Sequence, residues 1–407
     1  MRRRVVVTGI GITSPIGNDL PTVTRSLQEG QSGVRAFPEW GEVKSLRTRL
    51  GAPVDVDLST LSRKRTRTMG RVAQLAAWAT QKAIDEAGLS ADLLSSGRVG
   101  IAYGSTSGSP PSIEEFVGSL VGNRSLDGIQ SATYLRFMSH TCAANLAQYF
   151  AVRGRVLTTC SACVSSSQAI GYAFEAIRSG AQDVMLAGGA EELGIAAAAI
   201  FDIMFATSAG FNDRPTESPR PFDAARDGLV VGEGAGTLVL ESLESATARG
   251  ATIHAEVLGF GTNCDGYHMT APFEDGMARV IELALEDARL PADRIEYVNA
   301  HATGTDVGDS TESRATLRVL GGKVPVSSTK GFTGHTLGGC GAIESIFCLA
   351  MLRDGFLAPS KNLVRVAPDC APLDYVVGAP RQATPSIVMN NNFAFAGLNT
   401  SLVFGKV

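Results

Sequence analysis

Thr158-Thr-Cys-Ser-Ala-Cys163-Val-Ser-Ser-Ser-Gln-Ala-Ile-Gly171 continues a short apolar run that begins at Val156 and leads into helical spacing as far as Arg178. A strand that ends in small residues and turns directly into an alanine-rich helix is the building unit of an α/β protein. A cysteine in such a turn lies at the positive end of the helix dipole, which favours its thiolate. Its small neighbours leave room for a substrate to approach. Buried cysteines are commonly inert packing residues, so position alone does not give Cys163 a role.

The same unit recurs outward from this stretch. Strands are expected over residues 4–8, 99–103, 156–159 and 184–187, with helices over 73–87 and 167–178. In the second half, residues 295–299 end at His301-Ala-Thr-Gly-Thr305, much as 99–103 end at Gly104-Ser-Thr-Ser-Gly108. Residues 325–329 precede a glycine-rich turn and a helix, as 156–159 do. Residues 387–390 pair with 401–404 across a glycine-containing turn. This is the pattern of an internal duplication, with halves over 1–250 and 251–407 and no low-complexity linker between them.

Composition narrows the function classes. With 407 residues, 44% hydrophobic, 19% charged and 45 glycines, the chain suits a compact, turn-rich α/β enzyme. A formal net charge of −4 gives no reason to expect nucleic-acid binding. No run approaches the roughly 18 apolar residues of a membrane span. Residues 193–205 come nearest, but they are short and contain Asp202, so a buried helix is expected there. The basic start followed by Val5 to Gly11 is too soon broken by glycines for a signal peptide and reads as a strand and turn, which makes the cytoplasm the default location. Seven cysteines, an odd number in a long chain, are expected as free thiols. Cys160 and Cys163 form a C-x-x-C, but no second pair or nearby histidine pair accompanies them in sequence, so no metal is expected. Arg63, Lys64, Arg65 and Arg67, with Arg71 close by, make a compact basic cluster. It is either a solvated helix face or a docking patch for an acidic partner.

Only five histidines are present, and two lie in turns rich in small residues. His301 sits in Asn299-Ala-His-Ala-Thr303-Gly-Thr305-Asp-Val-Gly-Asp309-Ser-Thr-Glu312, where His301, Thr303 and Thr305 point to one side of an extended segment. His335 sits in Ser327-Ser-Thr-Lys330-Gly-Phe-Thr-Gly-His335-Thr-Leu-Gly-Gly-Cys-Gly-Ala-Ile-Glu344, where a strand leads through glycines into a helix. His140, His254 and His268 read as structural or peripheral.

Taken in order, these segments resemble the elongating β-ketoacyl-acyl carrier protein synthases of the thiolase superfamily. The resemblance runs from Val6-Val-Thr-Gly-Ile-Gly11 to Asn392-Phe-Ala-Phe-Ala-Gly-Leu-Asn399. It includes Pro221-Phe-Asp-Ala-Ala-Arg-Asp-Gly-Leu-Val-Val-Gly-Glu-Gly-Ala-Gly236. It implies a thiolase-like duplicated five-layer α-β-α-β-α fold and an acyltransferase that condenses an acyl thioester with malonyl-acyl carrier protein by decarboxylation. Cys163 then matches the nucleophile, His301 and His335 the paired histidines, and Lys330 and Glu344 an ion pair beneath the site. The backbone amides of Cys163 and Phe395 match an oxyanion hole. Thr303 and Thr305, joined by Thr270, match the residues that bind phosphopantetheine, and Phe201 and Phe395 match gating aromatics. No cofactor beyond the carrier's phosphopantetheine is implied. The implied partners are an acidic acyl carrier protein, docking on Arg63, Lys64, Arg65 and Arg67, and a second subunit. That subunit is a copy of the chain or a chain-length-factor-like protein.

The chain departs from the family pattern in places. The usual Gly-Phe-Gly-Gly-Thr-Asn loop reads Ala394-Phe-Ala-Gly-Leu-Asn399, which restricts the backbone of a loop expected to move. Ser107 replaces a bulky apolar residue expected to line the acyl pocket, so a longer or stiffer acyl group, as in polyketide or aryl-polyene synthesis, becomes an option. A degradative thiolase would carry a second catalytic cysteine in its usual motifs. An initiating condensing enzyme would carry asparagine where His335 stands, and a chain-length factor would lack the nucleophile.

Overall fold

The computed structural model describes residues 3–407. In its first half, β1 (Val5–Thr13), α1 (Arg71–Ala87), β2 (Val99–Gly104), α2 (Thr141–Phe150) and β3 (Val156–Thr159) come first. They are followed by α3 (Ser165–Arg178), β4 (Val184–Glu191), α4 (Ile195–Ile203) and β5 (Gly234–Ser242). The second half contains β6 (Ala255–Cys264), α5 (Glu274–Ala288), β7 (Tyr297–Asn299), α6 (Asp306–Leu320) and β8 (Pro325–Ser327). It ends with α7 (Cys340–Asp354), β9 (Ile387–Ala394) and β10 (Leu398–Gly405).

The strand order is β3-β2-β4-β5-β1 in the first half and β8-β7-β9-β10-β6 in the second. These are the same order: third, second, fourth, fifth and first strand of each half. The strand senses agree too. β2 runs parallel to β3 and β4, while β5 is antiparallel to β4 and β1. β7 runs parallel to β8 and β9, while β10 is antiparallel to β9 and β6. The duplication expected from the recurring strand-turn-helix units is therefore present in the topology. The two sets join where β1 and β6 pair antiparallel at Val5–Val257, Val6–Glu256 and Val7–Ala255. A short strand at Asp374–Tyr375 extends the β8 edge.

Five layers result. α1 covers β1 and β5 on the outer face of the first half, and α5 covers β6 and β10 on that of the second. Between the two sets lie α3 and α7, which pack on each other. Every residue of α7 from Cys340 to Leu352 is buried, as a helix between two sheets requires.

Two expectations change. The first strand does not stop at residue 8 but runs to Thr13, because Gly9 and Gly11 are its contact with α1 rather than a turn. The 193–205 segment is not a buried helix. Ala197, Ala198 and Phe201 face inward, whereas Ile200, Ile203 and Phe205 are 57%, 78% and 77% exposed. Asp202 turns inward, accepting hydrogen bonds from the Arg47 and Thr48 amides and the Thr207 hydroxyl. The apolar run is thus a surface helix with an apolar outer face.

A Cβ at position 11 would lie 1.9 Å from the Ala79 carbonyl oxygen on α1. Gly11→Ala must push α1 off the sheet and is expected to cost about 1–3 kcal/mol. Urea unfolding of the variant checks this, and an unchanged midpoint would refute the packing argument.

Candidate active site

Cys163 and His335 follow the third strand of their respective halves. After β3 the chain makes a 3₁₀ turn, Ala162–Val164, and enters α3; after β8 it reaches a 3₁₀ turn, Leu337–Gly339, and enters α7. The first residue of each turn is left-handed, Ala162 at φ 49° and Leu337 at φ 43°. Non-glycine residues adopt that region at a cost, and such strain gathers at functional sites. Because α3 and α7 pack together, the two turns are brought face to face. His335 Nε2 lies 3.0 Å from Cys163 Sγ. The His335 backbone is itself held, its amide donating to the Val230 carbonyl and its carbonyl accepting from the Gly232 amide.

His301 arrives from the turn after β7. Two buried carboxylates at the start of α6 grip that turn. Glu312 accepts from the His301 amide at 2.8 Å and the Ala302 amide at 2.6 Å. Asp309 accepts from the amides of Thr303, Gly304 and Phe222. Burial pushes these carboxyls up, to about 8 for Glu312 and about 6 for Asp309, against the opposing pull of the amides. The His301 and His335 rings stand edge to face, with centroids 5.1 Å apart.

Beneath them Lys330, with no exposed surface, is ion-paired to Glu344, whose second oxygen accepts from Asn392 Nδ2 at 2.7 Å. Burial, and then the Lys330 charge, hold both imidazoles well below their ordinary pKa, so both are neutral. Burial also pushes the Cys163 thiol up to about 12, only partly offset by Lys330. The helix dipole that the sequence pointed to therefore does not leave a standing thiolate. Cys163 rests as a thiol hydrogen-bonded to His335.

A cavity of about 590 Å³ opens onto Cys163, His301 and His335. Thr303, Thr305 and Thr270 line it, the first two with their hydroxyls 3.1 Å apart. Phe201 and Phe395 lie across it, with ring centroids 5.8 Å apart. Ser107 is not among its lining residues; it is exposed, on the turn after β2. Arg63, Lys64, Arg65 and Arg67 are exposed in a turn rather than on a helix. Among the described residues none of the four has an ion-pair partner, and Arg65 stacks on Tyr149. Arg71 does not belong with them: it starts α1 and forms a two-point contact with buried Glu233.

Over residues 2–246 the chain matches the model of the beta-ketoacyl synthase N-terminal domain, and over 254–364 that of the C-terminal domain. The chain belongs to the beta-ketoacyl synthase family. It is 39% identical over 406 residues, 99% of both chains, to the 3-oxoacyl-[acyl-carrier-protein] synthase 1 of Haemophilus influenzae. Among solved structures it is similar to a beta-ketoacyl synthase from Burkholderia phymatum, with 50% identity, full coverage of both chains and a TM-score of 0.97. It is also similar to the ishigamide ketosynthase/chain length factor, at 36% identity, full coverage of both chains and a TM-score of 0.93. The thiolase-like fold and the acyltransferase class implied by the motifs are thus those of this family's ketosynthases.

Glu312, Asp309 and Asn392 were not singled out by sequence reasoning. The first two did carry a signal, since acids three apart at the start of a helix lie one turn apart on the same face, near the amides that precede it. Asn392 carried none, because its partner Glu344 lies on a different element.

A neutral buried imidazole binds fewer protons in the folded than in the unfolded chain below the ordinary histidine pKa of 6.5. Stability from this source is therefore complete above that pH and declines below it, by up to about 1.4 kcal/mol per pH unit for each histidine. His335→Asn is expected to make the acid side of the stability profile shallower by about one such increment. Urea midpoints at about pH 5 to 7 measure it, and a slope identical to the parent would contradict the buried neutral state.

Proposed function

We propose that the cavity receives two thioesters in turn on the phosphopantetheine arm of an acyl carrier protein and joins them by decarboxylative Claisen condensation. The observation that carries this reading is the 3.0 Å approach of His335 Nε2 to Cys163 Sγ, with a second neutral imidazole beside it. In the first half-reaction Cys163 Sγ attacks the acyl carbonyl. The carrier thiol leaves with the proton that Cys163 gives up, and the acyl group stays on sulfur. In the second, malonyl thioester loses carbon dioxide, and its developing enolate oxygen accepts hydrogen bonds from His301 and His335. The carbanion then attacks the acyl-Cys163 carbonyl, the carbon–sulfur bond breaks, and the Cys163 thiolate takes up a proton from solvent, its own having left with the first carrier thiol. The amides of Cys163 and Phe395 stabilise the intervening oxyanion.

Neutrality of the histidines is what this chemistry needs. An imidazole kept neutral donates one N–H to the oxygen without holding a second buried charge. Thr303, Thr305 and Thr270 line the route of the arm and offer hydroxyls to its amides. The unpaired basic turn at Arg63, Lys64, Arg65 and Arg67 suits the acidic surface of a carrier. No further cofactor enters this scheme.

The chain works as a dimer with a copy of itself in this proposal. A heterodimer with a chain-length-factor-like subunit is the second reading, favoured by the full-length similarity to the ishigamide ketosynthase/chain length factor. With an exposed Ser107 beyond the cavity, the acyl group accepted belongs to fatty-acid or to polyketide elongation, and the donor preference decides between them.

Incubation with acyl carrier proteins bearing short, long and polyunsaturated acyl groups, followed by intact mass measurement, tests the first half-reaction. One acyl increment on the parent protein and none on Cys163→Ala is expected. His301→Ala should keep that increment while losing about 10²–10³-fold in malonyl decarboxylation, the usual effect of removing an oxyanion donor. Absence of acylation with every donor, alone and with a candidate second subunit, would overturn the assignment.

A further inference from the structure

We propose that Cys163, His301 and His335 together bind a borderline-soft divalent cation, zinc in the first place, and that the metal silences the site reversibly. Spacing along the chain gave no reason to expect a metal, because the three residues come from turns far apart in sequence. The fold brings them together. One donor atom from each lies within 4.8 Å of the other two, and all three residues are buried at the base of the cavity.

The geometry suits a four-coordinate ion. A tetrahedral zinc with a thiolate at about 2.3 Å and imidazole nitrogens at about 2.0–2.1 Å spaces its donors about 3.3–3.6 Å apart. The Cys163–His335 pair is already at 3.0 Å and no donor pair is more than 4.8 Å apart, so shifts on the order of 1 Å convert the cluster into three ligands. The fourth position faces the cavity, where water completes the shell.

The donor set selects the metal class. Two imidazoles and a thiolate favour zinc and its neighbours, whereas magnesium and calcium need oxygen donors. The buried carboxylates around the cluster are occupied elsewhere, Glu191 by the Thr106 and Gly338 amides. Glu312 accepts two backbone amides, and Glu344 is held by Lys330 and Asn392. Binding exchanges one proton: the Cys163 S–H bond breaks, a sulfur–metal bond forms, and the proton passes to solvent.

The hydrogen bonds made by the ligands' other ring nitrogens set the strength. Dedicated zinc sites orient each histidine through its other ring nitrogen, and losing such a partner costs on the order of 10–100-fold in affinity. Among the described residues, Nδ1 of His301 and Nδ1 of His335 have no hydrogen-bond partner. The Lys330 charge below them opposes a cation, although Glu344 balances it. The site therefore binds more weakly than a structural zinc site and gives the metal up to chelators. While bound, the metal occupies the nucleophile and both hydrogen-bond donors.

Cobalt(II) titration of the full-length reduced protein tests this, since cobalt reports its ligands in its absorption. One equivalent is expected to give a thiolate-to-cobalt charge-transfer band with tetrahedral ligand-field bands, displaced by zinc. Calorimetry with zinc in two buffers of different ionisation enthalpy should show proton release on binding, which Cys163→Ser should diminish. Cys163→Ser should lose the charge-transfer band and bind at least about tenfold more weakly, and His301→Asn should weaken binding similarly. The Cys160→Ala/Cys264→Ala variant, which removes the two most exposed thiols, should keep the band. No charge-transfer band in the parent, or a band that survives in Cys163→Ser, would overturn the proposal. These readouts involve no carrier protein, so they stand whatever the condensation assay gives.

Discussion

Lys330 carries a charge in a place with no access to water, and most of the site is arranged around that fact. A buried ammonium is tolerable only when paired and hydrogen-bonded, and Glu344 does this from the first turn of α7. Asn392, on β9, takes the remaining carboxylate oxygen, so the pair is anchored to a sheet as well as a helix. The consequences spread to the neighbours. Both histidines lie close enough to feel the lysine, which adds to burial in keeping them uncharged. The same cation partly offsets the burial that holds Cys163 as a thiol. Removing either partner would leave a bare charge at the centre of the molecule.

The duplicated topology explains why Cys163, His301 and His335 meet although they come from such different parts of the chain. Cys163 lies in the turn after the third strand of its half and His335 just before the corresponding turn of the other, and each turn opens with a left-handed non-glycine residue. His301 follows the second strand of its half, as the Ser105–Ser107 turn follows the second strand of the other. One architectural unit used twice thus supplies the cysteine of the site from one copy and its two histidines from the other. Packing of α3 against α7 is what turns sequence distance into contact.

How much of this was legible in the sequence depends on the range of each interaction. Strand β3 and the helix after it could be read because β-branched runs and alanine-rich spacing are local signals. His301 and His335 could be read because histidine is scarce here and both lie in small-residue turns. The fate of Gly9 and Gly11 could not, since a strand glycine that admits a helix looks like a turn glycine until the helix is in place. The outer face of α4 was misread for the opposite reason. Hydrophobicity alone does not say which side of a helix meets the core, and only Asp202, turned inward to three donors, fixes its orientation. The thiol's protonation state also lay beyond the sequence, because burial opposes the helix dipole and burial belongs to the whole fold.

The seam between β1 and its neighbours bears on how the chain is made. β1 precedes both of its partners by a long stretch of chain: β5 is completed only at Ser242, and β6 follows it. Until both exist, its backbone edges have no native partner strand, although α1 already covers one of its faces. Pairing of this kind, between segments far apart in sequence, is slow to form and exposes sticky intermediates. Closing this seam is therefore a late event in folding, because β1 must wait for a strand from the far end of its own half and for one from the start of the other.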